Sequence, residues 1–192
     1  MASYIKWFKF TGILLIACLC ALLVADRLLP LPLPSAKNDF AHVVVDEQGR
    51  PLRAFADSQG VWRYQTRSQD VSAEYIEALL HYEDRWFYYH PGINPLALMR
   101  AFMQNMLAGR IISGGSTITM QVARTFDPHK RSYRGKLHQA FRALQLEWHF
   151  SKQQILDFYL NYVPFGGPVE GVAAASYMYL DKSPDQLTHA EA

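Results

Sequence analysis

A run of sixteen residues without a charge, Phe10 to Ala25, sets the first limit on what this chain can fold into. Lys6 and Lys9 precede it, and Asp26 and Arg27 follow it. As a helix rising ~1.5 Å per residue the run covers about 24 Å, short of a hydrocarbon core of ~30 Å. Ile5, Trp7 and Phe8 on one side and Leu28 and Leu29 on the other extend the span, with the lysines snorkelling and Trp7 at the interface. Cations on the N-terminal side set that end in the cytoplasm and the rest outside. Residues 1–29 therefore read as a cytoplasmic tail and a single-pass signal-anchor transmembrane helix. A cleaved secretory signal fits less well, because Ala17, Ala21 and Ala25 do not form a clean small-x-small site. Leu15-Ile16-Ala17-Cys18 resembles a lipoprotein cleavage box, but the apolar run continues past Cys18. Both cysteines, Cys18 and Cys20, lie in this segment, so the exported part needs no disulfide or thiolate metal site.

Beyond the anchor, Pro30, Pro32 and Pro34 alternate with leucines, removing backbone donors and favouring an extended spacer over residues 30–41. The remaining residues, 42–192, suffice for one domain, and 50% hydrophobic content with 19% charged residues argues against long disorder. His42 to Asp46 and Pro51 to Ala56, joined through Glu47-Gln48-Gly49-Arg50, read as a β-hairpin, and Val61 to Tyr64 as a further strand. Past Asp70 the periodicity is helical. A net charge of +2 carries no message about nucleic acid, and an exported domain meets little of it, so no such partner is expected.

Ser72 is the expected N-cap of a helix whose apolar positions Ile76, Leu79 and Leu80 are continued, seven residues after Ile76, by Glu83. A carboxylate on the buried face, running into Asp84-Arg85-Trp86-Phe87-Tyr88-Tyr89-His90-Pro91-Gly92, would be desolvated and suited to proton transfer; the other reading pairs it with Arg85 in an ordinary core. Asn94 to Ala108 forms a second helix with Met99, Phe102, Met103, Met106 and Leu107 on one side, a core stripe or a face adapted to lipid. Ser113-Gly114-Gly115-Ser116-Thr117 opens a helix containing Gln121 and Arg124, which reads either as a structural turn or as an anion site at a helix N-terminus. Arg124, Lys130, Arg131, Arg134 and Lys136 put five cations within thirteen residues, opposed by Asp127 alone. That run is a solvated face or a partner for diphosphate and anionic lipid. Leu137, Ala140, Phe141, Leu144 and Trp148 make the next stripe, Ser151 to Gln154 a capping box for the helix to Asn161, and Gly171 to Leu180 a small-residue helix.

Five segments in order, Glu83 to Gly92, Gly115 to Gln121, Arg134-Gly135-Lys136, Ile155 to Asn161 and Gly171 to Ala175, resemble the motifs of the family-51 glycosyltransferases. These are the peptidoglycan polymerases of class A penicillin-binding proteins and their monofunctional relatives. The resemblance runs from about Val43 to the C-terminus. It implies a mainly α, lysozyme-like helical glycosyltransferase domain with a small N-terminal β-hairpin, preceded by one transmembrane helix. Relatives continue into a transpeptidase domain, so a C-terminally incomplete domain is expected. Three positions depart from the pattern: Gln139 stands where the family has a second glutamate, Met120-Gln121 replaces a Gln-Gln pair, and Gly135 precedes Lys136 in place of arginine.

The implied reaction joins lipid II units through β-1,4 bonds with inversion and release of undecaprenyl diphosphate. Glu83 is the implied base. Asp84, Phe87, His90, Ser116, Thr117, Gln121, Arg124, Lys136 and Gln139 are the implied substrate-binding residues. No metal ligand is assigned; Mg²⁺ or Mn²⁺ is a conceivable cofactor, with a weakened requirement because Gln139 is neutral. Lipid II, the growing lipid-linked glycan, the bacterial inner membrane and other cell-wall synthesis proteins are the implied partners, with the domain on the periplasmic side. Three alternatives are a lysozyme-like hydrolase, which has no use for a cationic diphosphate site, a weakly active or inactive lipid II-binding scaffold, and a general membrane-anchored adaptor, against which the Glu83 and Ser116 motifs count.

Overall fold

The structure, a computed structural model, describes residues 12–13, 16–17, 20–34, 40–47, 51–110, 112–130 and 132–191. The chain divides into one unit ending at Pro32 and a second beginning at Leu33. In the first, residues 20–28 are helical and the Leu29 N–H donates to the Ala25 carbonyl at 2.9 Å. Among the described residues no helix is long and apolar enough to cross a membrane. The flanking residues invoked for the anchor, Ile5 to Lys9, lie outside the described residues, as do Leu15 and Cys18 of the lipoprotein-like box.

The second unit opens with the expected hairpin, β1 (His42–Val45) antiparallel to β2 (Pro51–Phe55), with Val43 opposite Ala54 and an irregularity between Val44 and Val45. Its turn residues Gln48 to Arg50 lie outside the described residues. The strand expected at 61–64 is instead one parallel bridge between Trp62 and Val169. There the Trp62 N–H donates to the Pro168 carbonyl at 2.8 Å and the Glu170 N–H to the Trp62 carbonyl at 3.0 Å.

Six α-helices follow, and side-chain caps explain most of their starts. Ser72 accepts the Tyr75 N–H to open α1 (Ala73–Glu83), and Asn94 accepts the Ala97 N–H to open α2 (Pro95–Ala108), where Pro95 fits the first turn. Thr117 caps α3 (Ile118–Phe126), Ser132 caps α4 (Tyr133–His149), and Ser151 with Gln154 forms the expected capping box of α5 (Lys152–Tyr162). A short hairpin, β3 (Pro164–Gly166) with β4 (Val169–Glu170), leads to α6 (Val172–Leu180). Gly171, at φ 82°, starts α6 where a Cβ would lie 2.6 Å from the Asn161 carbonyl, so the end of α5 and the start of α6 touch through bare backbone.

Helix α3 packs against both α4 and α5. Ile118, Met120, Ala143, Leu146, Ile155 and Leu160 are fully buried. Val169, Ala174 and Ala175 form a second cluster under Trp62 and Tyr64.

Two stripes differ from expectation. The α2 side carrying Met99, Phe102, Met103, Met106 and Leu107 is exposed, so it is not core in this unit. In α4, Leu137 and Trp148 are 75% and 66% exposed, and the buried side sets the polar Gln139, Arg142 and Gln145 beside Ala143 and Leu146. Hydrogen bonds outweigh apolarity there, since the Arg142 Nη1–H donates to Gln145 Oε1 at 2.7 Å and its Nε–H to Asp127 Oδ2 at 2.7 Å.

The loop between α1 and α2 is held against α4 through Gly92, at φ 81°, where a Cβ would lie 2.8 Å from Glu147 Cγ and 2.9 Å from the Ala143 carbonyl. Gly92→Ala is expected to destabilise the fold by about 1–3 kcal/mol, through backbone strain and overpacking together. Urea denaturation checks this; an unchanged midpoint would contradict the close packing described.

Candidate active site

The chain leaves α1 at Asp84, whose φ of −159° and ψ of 74° turn it off the helix axis. That turn sends neighbouring side chains in opposite directions. Asp84 is 6% exposed and Phe87 is 1% exposed, whereas Glu83 is exposed. The buried, desolvated Glu83 expected from the apolar stripe is therefore corrected: α1 buries Tyr75 and Ala78, Ile76 is only half-buried, and the helix runs out of the packed body before its last residue. Glu83 is not paired with Arg85 either; its Oε2 accepts from the Gln121 Nε2–H at 2.7 Å.

Asp84 is the anchor of this turn. Its carboxylate contacts His90 Nε2 at 2.9 Å through Oδ1 and accepts the Ile118 N–H at 3.0 Å through Oδ2. The Thr117 hydroxyl donates to the Gly92 carbonyl at 2.6 Å and accepts the Met120 N–H at 3.1 Å. Lys152 Nζ donates to the His90 carbonyl at 2.7 Å and lies 4.6 Å from the centre of the Phe87 ring. The first N–H of α3 is thus satisfied by Asp84 and the third by Thr117, so the helix start expected as an anion site is largely engaged by the protein itself.

In front of this support lies a cleft of about 790 Å³. Glu83, Ser116, Gln121, Arg124 and Gln139 line it, bringing together five of the residues singled out from sequence. Asp84, Phe87, His90 and Thr117 are buried instead, in the scaffold that shapes the turn and the helix start. Tyr159 also lines the cleft. Burial pushes the Tyr75 phenol up to about 12, helped by the Glu83 charge, and burial followed by the charge of Glu83 pushes Tyr159 up as well. Both phenols therefore remain protonated donors near neutral pH.

The cationic side of the cleft is built from α3 and α4. Lys136 Nζ donates to Ser116 Oγ and, at 3.2 Å, to Gln139 Oε1. Burial, and then the nearby Arg124 cation, hold the Lys136 ammonium below the usual lysine range. Gln139 is 4% exposed, and its Nε2–H donates to the Met120 carbonyl at 2.5 Å. Gly135, beside Lys136, is buried where any Cβ would collide with the Lys130 carbonyl and the His129 ring. Lys130 and Arg134 are exposed, and Arg131 lies outside the described residues. Asp127 bonds His138 at 2.7 Å and Arg142 at 2.7 Å; burial alone would raise its carboxyl, but these two partners together lower it.

Sequence reasoning missed two charges on the cleft, Arg100 and Glu170. Arg100 could have been suspected as a lone cation on an apolar helix. Glu170 had no local signal: its Oε2 accepts from Arg63 at 2.5 Å, 107 residues away, with the guanidinium 4.6 Å from the Tyr162 ring centre. The polar residues of the fourth segment are structural here. Asp157 accepts from the Ser68 N–H and hydroxyl, both at 2.7 Å, and Asn161 accepts the Thr66 N–H at 2.9 Å while donating to the Thr66 carbonyl at 2.6 Å. Among the described residues no three His, Cys, Asp or Glu side chains converge as a metal's ligand set. Gln139 turns its amide donor to a carbonyl and its oxygen to an ammonium, which is a poor fit to a divalent cation.

The transglycosylase family model matches residues 48–192. The chain is 55% identical over 168 residues to penicillin-binding protein 1C of Escherichia coli, which covers 88% of this chain and 22% of that protein. It is 37% identical over 149 residues to penicillin-binding protein 1A of Pseudomonas aeruginosa, covering 77% of this chain and 18% of the relative. A third relative, penicillin-binding protein 1A of Aquifex aeolicus, is 37% identical over 131 residues, covering 68% and 18%. The chain thus spans about a fifth of the length of these relatives.

Opposite roles for neighbouring carboxylates can be separated by stability. Asp84→Ala leaves the Ile118 N–H and His90 without their partner inside the fold and is expected to cost about 3 kcal/mol. Glu83→Ala, at an exposed position, is expected to change stability by no more than about 0.5 kcal/mol. Chemical denaturation of the two variants checks the contrast, and equal losses would contradict it.

Proposed function

The chain belongs to the transglycosylase family, and on that premise we propose that its second unit is a peptidoglycan glycosyltransferase acting on lipid II. What supports this reading is the single cleft that joins the Glu83 carboxylate to the Ser116, Arg124 and Gln139 side, with Lys136 bonded to Ser116 behind it.

In this reaction the sugar 4-hydroxyl of the acceptor attacks C1 of the lipid-linked donor. The new O4–C1 bond forms as the bond from C1 to the diphosphate oxygen breaks on the opposite face, which inverts C1. The hydroxyl proton passes to Glu83, because a neutral hydroxyl is too weak a nucleophile to attack unaided. Gln121 holds one carboxylate oxygen, leaving the other to receive the proton. The diphosphate departs with its negative charge stabilised by Arg124 and Lys136. Ser116 accepts from Lys136, so its own O–H is left to donate to a phosphate oxygen.

The chain's own cations suffice for this step in our reading, since Gln139 offers a metal no carboxylate. The apolar α2 face from Met99 to Leu107 suits contact with lipid chains or the bilayer surface. Residues 1–29 serve as the signal anchor in the bacterial inner membrane, with the second unit on the periplasmic side and other cell-wall synthesis proteins as its neighbours. The uncharged run from Phe10 to Ala25 supports this.

A polymerisation assay with lipid II in detergent tests the catalytic reading. Glu83→Gln is expected to abolish glycan synthesis, and removal of divalent cations with EDTA is expected to leave the unmodified chain within about threefold of its rate, less than the loss of one charge-assisted hydrogen bond. Substantial synthesis by Glu83→Gln would sink the assignment of the base, and a dead EDTA sample would sink the metal-independent step. One observation, the neutral Gln139, favours a second reading as a lipid II-binding scaffold. Tight binding of lipid II with no turnover by the unmodified chain would establish that instead. For the anchor, the full chain is expected to sediment with membranes and a chain beginning at residue 30 to release a larger fraction to the supernatant; identical partitioning would contradict an anchoring role for residues 1–29.

A further inference from the structure

A second cavity, of about 490 Å³, lies between the turn after α1 and the first turns of α2, and nothing in the reaction above uses it. Trp86, Tyr89 and His90 form one side and Asn94 to Ala97 the other, with Arg100 at a position that also lines the catalytic cleft. The two cavities therefore share Arg100 in their walls. Arg100 is exposed and forms no ion pair among the described residues.

Three properties of the walls define what the cavity would take. Trp86 and Tyr89 are 57% and 81% exposed, with ring centres 5.7 Å apart in an edge arrangement, and with Leu96 they present apolar surface that no part of this unit covers. Arg100 offers a positive charge suited to a carboxylate. His90 is 8% exposed, with Nε2 against Asp84; its Nδ1 is the one buried side-chain polar atom among the described residues without a partner. With the ring proton on Nε2, Nδ1 is an acceptor that lacks a donor. Nδ1 is closed to water as the cavity is built, so an occupant reaches it where a wall residue moves aside.

An apolar cavity of this size with a few convergent polar groups fits a small ligand group. A prenyl chain would use the rings and leave both Arg100 and Nδ1 unmet. A plain sugar supplies hydroxyl donors and no charge. A short acidic peptide supplies aliphatic carbons for the rings, N–H donors for Nδ1 and a carboxylate for Arg100. We propose that this cavity is a subsite for the acidic peptide carried by the acceptor's sugar, holding the acceptor while its hydroxyl faces Glu83. The proposal rests on the glycosyltransferase reading for its substrate.

Two measurements test it. The first compares kcat/KM for lipid II and for the same lipid-linked disaccharide lacking its peptide, in the full chain and in Trp86→Ala/Tyr89→Ala. The unmodified chain is expected to prefer the peptide-bearing substrate roughly tenfold or more, the worth of a hydrogen bond to a charged group. In the double variant that preference should shrink to within about twofold, mainly through KM. No preference in the unmodified chain, or equal loss on both substrates in the variant, overturns the subsite. The second, independent of turnover, is calorimetric titration of the soluble lipid II peptide into the full chain, with its carboxylates free and with them amidated. The free acid should bind, and the amidated form roughly tenfold more weakly. Binding by neither, or equally by both, overturns the proposal. If the free acid binds as expected but no substrate is polymerised, the subsite stands and the glycosyltransferase reading fails.

Discussion

The Asp84 carboxylate ties together the two parts of the second unit that carry its chemistry. One oxygen meets His90 and the other takes the first N–H of α3, at 2.9 and 3.0 Å, so the turn after α1 and the start of α3 are a single connected object. A carboxylate at a helix N-terminus also meets the favourable end of the helix dipole. Because Asp84 turns inward, Glu83 is left at the end of α1 on the open side, where Gln121 from the next turn of α3 reaches it. The orientation of the exposed acid follows from the burial of its neighbour.

The opposite wall has a different electrostatic character. Burial, and then the Arg124 charge, depress the Lys136 ammonium, and Gln139 between α3 and α4 adds hydrogen bonds without charge. A carboxylate and cations gathered at one cleft suit it to receiving a proton and holding an anion. Glu170, held by Arg63, adds a second acidic feature whose partner comes from the chain just ahead of α1. The segment around Trp62 is therefore part of the cleft's frame through β4, although it contributes no strand of its own.

Local chemistry written in short stretches was legible in advance. Ser72, Ser151 with Gln154, and the Asn94 to Ala108 helix all follow from capping and periodicity, and the cleft gathers Glu83, Ser116, Gln121, Arg124 and Gln139, residues that the family resemblance singled out. Burial was less legible. Apolar stripes say which face prefers to leave water but not which partner exists to cover it. The α2 stripe remains exposed, and α4 buries Gln139 and Arg142 because carbonyl and carboxylate partners await them across the interface. Glu83 was misjudged for the same reason: the stripe continues past the point where the helix leaves the packed body. Long-range pairs such as Arg63 with Glu170 and Asn161 with Thr66 have no local signature at all.

Gly135 limits what the position before Lys136 can carry. A side chain there would meet the Lys130 carbonyl and the His129 ring, so no cation can be placed directly before Lys136 by one substitution while the turn from Asp127 to Lys130 keeps its course. That turn is itself fixed by His129 Nδ1 against the Asp127 carbonyl and by the Asp127 carboxylate against His138 and Arg142. The glycine and the turn thus depend on each other. Placing a charge at position 135 would require rebuilding the path of the backbone first.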